Sequence, residues 1–238
     1  MKAEVLDRLV KDRAGKRPVA LLTNLKSYVQ ILFYQTDNPS KYGVSDTLAM
    51  AARQALADDR STTVDTPEGP VFIHVHNPPL RLLIVGAVHI AEPLARMAVV
   101  AGYAVTVIDP RRAFAGRDRF PEGEVRMDWP DEALKELAPD SRTAVVSLTH
   151  DPKLDDAALE VALKSPAFYI GALGSKKTHA ARCRRLAGLG FEPRDIERIH
   201  GPVGLALGAE TPAEIALSIL AEITQVRRQG EVGKAAAA

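Results

Sequence analysis

Two glycine-bearing stretches of this chain have the residue types to hold an anion. In Gly86-Ala87-Val88-His89-Ile90-Ala91, an apolar run ends at a glycine and a helix-forming segment follows. Asp109 ends the next apolar run, about 20 residues on, as in a dinucleotide-binding turn. The pattern is incomplete, because Val88 stands where the second glycine would let a pyrophosphate approach the backbone. Glu92 adds a carboxylate to the same helix start, where it competes with a phosphate for the positive end of the dipole. Ordinary NAD binding is therefore discounted, and a tight turn without ligand is the alternative.

The second stretch is Gly171-Ala172-Leu173-Gly174-Ser175-Lys176-Lys177. Its glycines allow close backbone approach, and Ser175 suits a helix cap. Two lysines in a first turn oppose the helix dipole, and a bound anion would offset that cost. The lysines stand equally as phosphate contacts or as part of a solvated face. For Arg182, Arg184 and Arg185 the solvated face is expected. Asp109-Pro110-Arg111-Arg112 could meet ribose or phosphate, or close a turn through an Asx bond.

Of the six histidines, His89 and His150 fall on the loops of the expected crevice and are read as polar contacts. His74 and His76 alternate on one strand face, as a solvent face or a metal pair, with the solvent face favoured. His179 and His200 have no partner that the sequence identifies. Cys183 reads as a small buried hydrophobe, and Asp155 and Asp156 read as a helix start. No G-x-S-x-G elbow, phosphate-binding P-loop, H-E-x-x-H or paired-cysteine motif occurs. No catalytic residue and no metal ligand is assigned.

The elements that position these residues fall into two blocks, divided at His76-Asn77-Pro78-Pro79. Residues 1–78 read as a short α+β unit: strands Val19–Leu22, Tyr28–Tyr34 and Val71–His76, and a helix Val44–Ala57 capped by Ser45. Residues 79–230 alternate strand and helix. The strands are Arg81–Val85, Ala104–Ile108, Val125–Met127, Thr143–Leu148, Ala167–Ile170 and Arg198–His200. The helices are Ile90–Ala101, Pro130–Leu137, Asp155–Lys164, Lys176–Ala187 and one opened by the capping box Thr211-Pro212-Ala213-Glu214. This predicts an α/β fold, a Rossmann-like doubly wound parallel sheet with a small N-terminal α+β domain. Residues 231–238 read as a tail.

Composition narrows the class. The net charge is +1 and aromatics make up 5%, which disfavours a nucleic-acid or anionic-membrane surface. One cysteine excludes a disulfide framework within the chain. No apolar run reaches the ~20 residues of a membrane span, and the charged start, MKAEVLDRLVKDRAGKR, has no signal-peptide core. A cytoplasmic protein is expected.

The motifs together resemble the XdhC/CoxI family of molybdenum-hydroxylase accessory proteins. The resemblance runs from Leu83–Ala91 through Val105–Arg111, Arg119-Phe120-Pro121, Leu148–Asp151 and Tyr169–Lys177. It closes with Gly201–Leu205, Gly208-Ala209, Thr211–Ala216 and Ser218–Glu222. It implies an accessory protein that binds molybdenum cofactor, as molybdopterin or its dinucleotide form. The cofactor is delivered, after sulfuration by a partner cysteine desulfurase, to a molybdenum hydroxylase apoenzyme such as xanthine dehydrogenase. By motif position the site would be lined by Gly86, His89, Asp109, Arg111, Thr149, His150, Gly174, Ser175 and Lys176. The family's N-terminal Gly-Gly-Cys-Val-Glu-like segment is not found here, so no residue is given a sulfur-carrying role. An NAD(P)-binding oxidoreductase and a ligand-free interaction or regulatory member are the alternatives. A homodimer is the base expectation for assembly.

Overall fold

The structure, a computed structural model, covers residues 2–111 and 117–235; Arg112 lies outside the described residues. The chain divides into two compact units, Met1–Pro78 and Pro79–Ala238.

The first unit runs α1 (Ala3–Ala14), β1 (Val19–Asn24), β2 (Gln30–Phe33), α2 (Asp46–Asp58), β3 (Thr62–Thr66) and β4 (Gly69–His76). The sheet is antiparallel, in the order β2-β1-β4-β3. Ala20, Leu22, Val71 and Ile73 pack on Leu48, Ala52 and Leu56 of α2. Val19 and Leu21 face the other way and meet Leu9 of α1. Because β1 is covered on both faces, its sequence is a continuous apolar run. Ser45 caps α2 by accepting the Leu48 N–H at 3.3 Å.

Two elements go beyond the sequence reading. The charged segment 3–14 is helical although Leu9 and Asp12 are its only buried residues, the Asp12 carboxylate accepting the Tyr34 hydroxyl. The strand β3, Thr-Thr-Val-Asp-Thr, is a mostly exposed edge with too little apolar alternation to read as a strand. The second strand starts at Gln30 because Tyr28 takes φ +60° in the turn before it.

His74 is exposed, while the His76 ring is half-buried 4.0 Å from that of His74. Burial first, then His74 and Arg13, lower the His76 pKa below its ordinary 6.5. In the second unit burial also lowers His179, with Arg182 contributing. A depressed imidazole binds its proton more weakly folded than unfolded. Stability is therefore intact above about pH 6.5 and is lost as pH falls from there toward the depressed values. Thermal unfolding from pH 7.5 to 5.5 is expected to show this decline. His76→Gln should flatten its own share, and an unchanged slope in that variant would exclude His76 as a source.

The second unit runs β5 (Leu80–Val85), α3 (Ala91–Val100), β6 (Tyr103–Ile108), β7 (Glu124–Arg126), α4 (Pro130–Leu137) and β8 (Thr143–Ser147). It continues through α5 (Pro152–Leu163), β9 (Tyr169–Ala172), α6 (Lys176–Gly188), α7 (Pro193–Ile196), β10 (Ile199–His200) and α8 (Pro212–Ala235). All strands are parallel, in the order β10-β9-β8-β5-β6-β7. This is the 3-2-1-4-5-6 order of a doubly wound sheet, read from the other edge. Leu82, Ile84, Val105 and Val146 face α3 and α8, where Leu94, Ile219 and Ile223 meet them. Leu83, Val85, Val145 and Ile170 face α4, α5 and α6 through Leu134, Leu159 and Leu186. These strands are buried on both sides, hence the short apolar runs.

The capping box of α8 forms in both directions: Thr211 Oγ1 accepts the Glu214 N–H at 3.2 Å, and Glu214 Oε2 accepts the Thr211 N–H at 2.9 Å. The fifth helix opens at Pro152, ahead of the expected Asp155, because Asp151 caps it by accepting the Lys153 N–H at 2.9 Å. The last helix continues to Ala235, into the stretch read as a tail, and residues 236–238 lie outside the described residues. Among the described residues no helix is long and apolar enough to cross a membrane.

Candidate functional site

Parallel strands direct their carboxyl ends to one edge, and the strand order reverses between β5 and β8. At such a switch point the loops separate and leave a crevice for ligands. All nine residues expected to line a site lie beyond the carboxyl ends of β5, β6, β8 and β9 or in the helix turns that follow. Their surroundings differ sharply.

The β5–α3 turn is closed by the protein's own groups. Gly86 has φ +106°, and a Cβ there would stand 2.7 Å from Thr149 Cγ2. The loops after β5 and β8 are therefore in contact across the switch point. The Ala87 N–H, in the turn that follows β5, donates to Asp109 Oδ2 at 2.8 Å. The same carboxylate accepts the Arg111 N–H at 3.0 Å and the guanidinium Nε and Nη2 at 2.9 and 2.7 Å. Burial pushes the Asp109 pKa up, but the Arg111 and Ala87 hydrogen bonds outweigh it and hold the group below the usual carboxylate range. Arg119 donates to the Ala87 carbonyl at 2.9 Å and to Glu92 at 2.8 Å. Val88 packs against the core. Asp109 and Arg111 thus complete each other, and the Ala87 N–H is already taken from any dinucleotide.

A second polar cluster lies beneath the loops after β8 and β9. Asp155 Oδ1 accepts the Ser147 hydroxyl at 2.6 Å and the Thr149 hydroxyl. Arg182 Nη2 donates to Asp155 Oδ2 at 3.2 Å and to the Leu173 carbonyl at 2.8 Å. Arg182 is 1% exposed, and its Nε and Nη1 are buried with no hydrogen-bond partner among the described residues. This corrects the expectation of a solvated arginine face. Arg182 is internal, Arg185 pairs with Asp156 at 2.5 Å, and Arg184 alone of the three is exposed. Asp155, read from sequence as a mere helix start, joins α5, α6 and the end of β8. The Ser147 and Thr149 hydroxyls lie only eight and six residues before Asp155, but the charged partner, Arg182, comes from a separate helix that local sequence does not bring in.

The β9–α6 loop is the open one. Gly174 takes φ +136°, and Ser175 caps α6 by accepting the Thr178 N–H at 3.1 Å. Lys176 and Lys177 are exposed, and the first turn holds no acidic residue. Their backbone N–H groups have no intrahelical partner. Exposed lysines and the backbone N–H groups of a helix's first turn are groups whose chemistry suits phosphate-class anions. His89 and His150 are exposed on the neighbouring loops. Cys183 is half-buried, its Sγ 3.5 Å from His179 Nε2. Among the described residues no group of three His, Cys, Asp or Glu side chains could hold a metal ion.

Six parallel strands in this order, with a crevice edge after β5, β8 and β9, define a Rossmann-type domain. Residues 82–223 match the XdhC Rossmann domain, and the chain belongs to that family. It is 34% identical over 160 residues to a probable xanthine dehydrogenase subunit from Bacillus subtilis, covering 67% of this chain and 46% of that protein. It is 32% identical over 154 residues to the molybdenum cofactor insertion chaperone PaoD of Escherichia coli, covering 65% of this chain and 42% of that protein. The chain spans less than half the length of the curated relatives it matches. A crystal structure of a Bacillus halodurans protein named as a xanthine dehydrogenase superposes with a TM-score of 0.70 at 25% identity. The match covers 95% of this chain and 64% of that one.

Proposed function

We propose that this chain is a maturation factor that binds molybdenum cofactor at the carboxyl edge of its parallel sheet and hands it to a molybdenum hydroxylase apoenzyme. The observation that carries this reading is the cationic opening of α6, free of acidic residues, in a chain related to a cofactor insertion chaperone. The cofactor is a phosphorylated pterin, and Lys176, Lys177 and the backbone behind Ser175 supply what its phosphate requires. His89 and His150, exposed beside the crevice, are the polar contacts for the remainder. Asp109 and Thr149, both buried, and the partly exposed Arg111 that pairs with Asp109 hold the loops in place. Sulfuration by a cysteine desulfurase precedes delivery, and the free and dinucleotide forms of the cofactor are both accommodated by an open phosphate cradle. The carrier works in the cytoplasm, as a homodimer.

The test is anaerobic binding of molybdenum cofactor to the purified chain, with NADH titrated in parallel. Saturable binding is expected, weakened about tenfold or more by Lys176→Ala, since a charge-assisted contact is worth about 1.5–3 kcal/mol. His150→Ala should weaken it less. NADH is expected not to bind, because Asp109 already occupies the Ala87 N–H. Binding of NADH alone would replace this reading with the oxidoreductase, and binding of neither would leave the interaction protein.

A further inference from the structure

His74 and His76 stand two residues apart on β4, and the proposed function uses neither. Side chains at i and i+2 of a strand share one face, ~6.7 Å apart along the backbone. Ile73, buried against α2, marks the opposite face. The strand is an inner one, between β1 and β3, so ladders on both sides fix its backbone. On β1 the residues opposite His74 and His76 are Leu21 and Val19. Between the two histidines the Val75 N–H donates to Ser61 Oγ at 3.0 Å. The two rings are in contact, with centroids 4.0 Å apart and planes inclined by 50°.

The two imidazoles differ in a way that suits joint binding. His74 is exposed and, among the described residues, makes ring contacts with Phe72 and His76 and no hydrogen bond. His76 is half-buried, and its Nε2 is buried with no hydrogen-bond partner among the described residues. A buried nitrogen left unpaired bears the full cost of leaving water, and a ligand atom there relieves it. Burial first, then His74 and Arg13, keep the His76 pKa below 6.5, so at neutral pH the ring is uncharged, the form that coordinates metal. An ion ~2.0–2.1 Å from one nitrogen of each ring needs centroids about 5 Å apart, so the rings must part by about 1 Å. Rotation of the exposed His74 side chain on its fixed strand supplies that.

We propose that His74 and His76 together bind a divalent cation of the imidazole-seeking class, Zn2+, Ni2+ or Cu2+. The charged groups that act on His76 are His74 and Arg13, and neither offers an oxygen. Mg2+ and Ca2+, which take oxygen ligands, are thereby excluded. Two protein ligands leave the other coordination positions open, so the ion is exchangeable, unlike the zinc of a closed four-ligand site. The site lies wholly within residues 1–78 and is independent of the cofactor-binding reading.

The experiment titrates Zn2+ into the full chain by calorimetry and follows the histidine ring signals by NMR. One saturable site is expected, with the His74 and His76 signals moving together. His74→Ala changes an exposed residue, so it should fold as the wild type does. It should weaken binding about tenfold or more, since even a supporting residue of a metal site costs that much when lost. His76→Gln should weaken binding likewise; if it also lowers stability, His74→Ala decides alone. Cys183→Ser removes a second soft donor, the thiol 3.5 Å from His179 Nε2, and should leave the affinity unchanged. No saturable binding, or an affinity unchanged in His74→Ala, overturns the proposal. So does loss of binding in Cys183→Ser while the His74 and His76 signals stay unmoved in the wild type.

Discussion

Arg182→Met is expected to destabilise the 79–238 unit by about 3–5 kcal/mol, the usual cost of breaking a buried ion pair from one side. The variant leaves the Asp155 carboxylate buried with only the Ser147 and Thr149 hydroxyls for company. It also strips the Leu173 carbonyl of its donor, so the loop after β9 loses its tie to α6. Chemical denaturation followed by circular dichroism measures the effect. Asp155→Leu combined with Arg182→Met should recover part of the loss, because replacing both charges removes the uncompensated ion. Recovery will be incomplete, since Ser147 and Thr149 then lack their acceptor. If Arg182→Met costs less than about 1 kcal/mol, the pair is not the tie between α5 and α6 that its geometry implies. Surface pairs such as Lys135–Asp131 set the contrast: on one helix and with its lysine exposed, this pair should contribute far less.

The sheet, its helices and its crevice edge are legible in the sequence because they rest on local signals. Buried parallel strands are apolar without alternation, and Gly, Pro, Ser and Thr punctuate the helices between them. The capping box at Thr211 and the cap at Ser175 are two such signals, each a matter of residues three positions apart. What sequence does not reveal is non-local. Arg182 looks like its neighbours Arg184 and Arg185 until α5 and the β9 loop are laid against it. Glu222 and His200 are far apart in the chain, and only the packing of α8 beside β10 joins them. The helix 3–14 and the strand 62–66 escape a sequence reading for a different reason. Their solvent-facing residues dominate their composition, and tertiary contact through Leu9 or pairing with β4 decides their state. The candidate site divides along the same line. Lys176 reads equally as a phosphate contact or as solvated surface, and its exposure does not separate the two, while the availability of Asp109 and Thr149 depends on partners that only the fold supplies.

Gly86→Ala should cost about 2–4 kcal/mol and disturb the crevice at once, although it adds one methyl group. Two independent penalties combine. At φ +106° a side chain is strained whatever the space, which costs of the order of 1–3 kcal/mol. The new Cβ would also lie 2.7 Å from Thr149 Cγ2 and 3.2 Å from the Thr149 backbone nitrogen. A side chain can rotate aside, but the backbone contact forces the loops after β5 and β8 apart. Thr149 then moves off Asp155, and the polar cluster beneath the β9 loop loosens with it. Gly188→Ala is the control. It lies in α6 with no atom within 4 Å of the new Cβ and no positive φ, so it should be neutral or stabilise by up to about 1 kcal/mol. Denaturation midpoints of the two variants, read beside hydrogen exchange at Thr149 and Leu173, separate strain from a general glycine effect. Equal midpoints would mean that the switch point has room that the contact of Gly86 with Thr149 denies. A lowered midpoint with faster exchange at both loops would show that one absent side chain keeps the crevice edge closed from below, leaving the α6 turn as its open side.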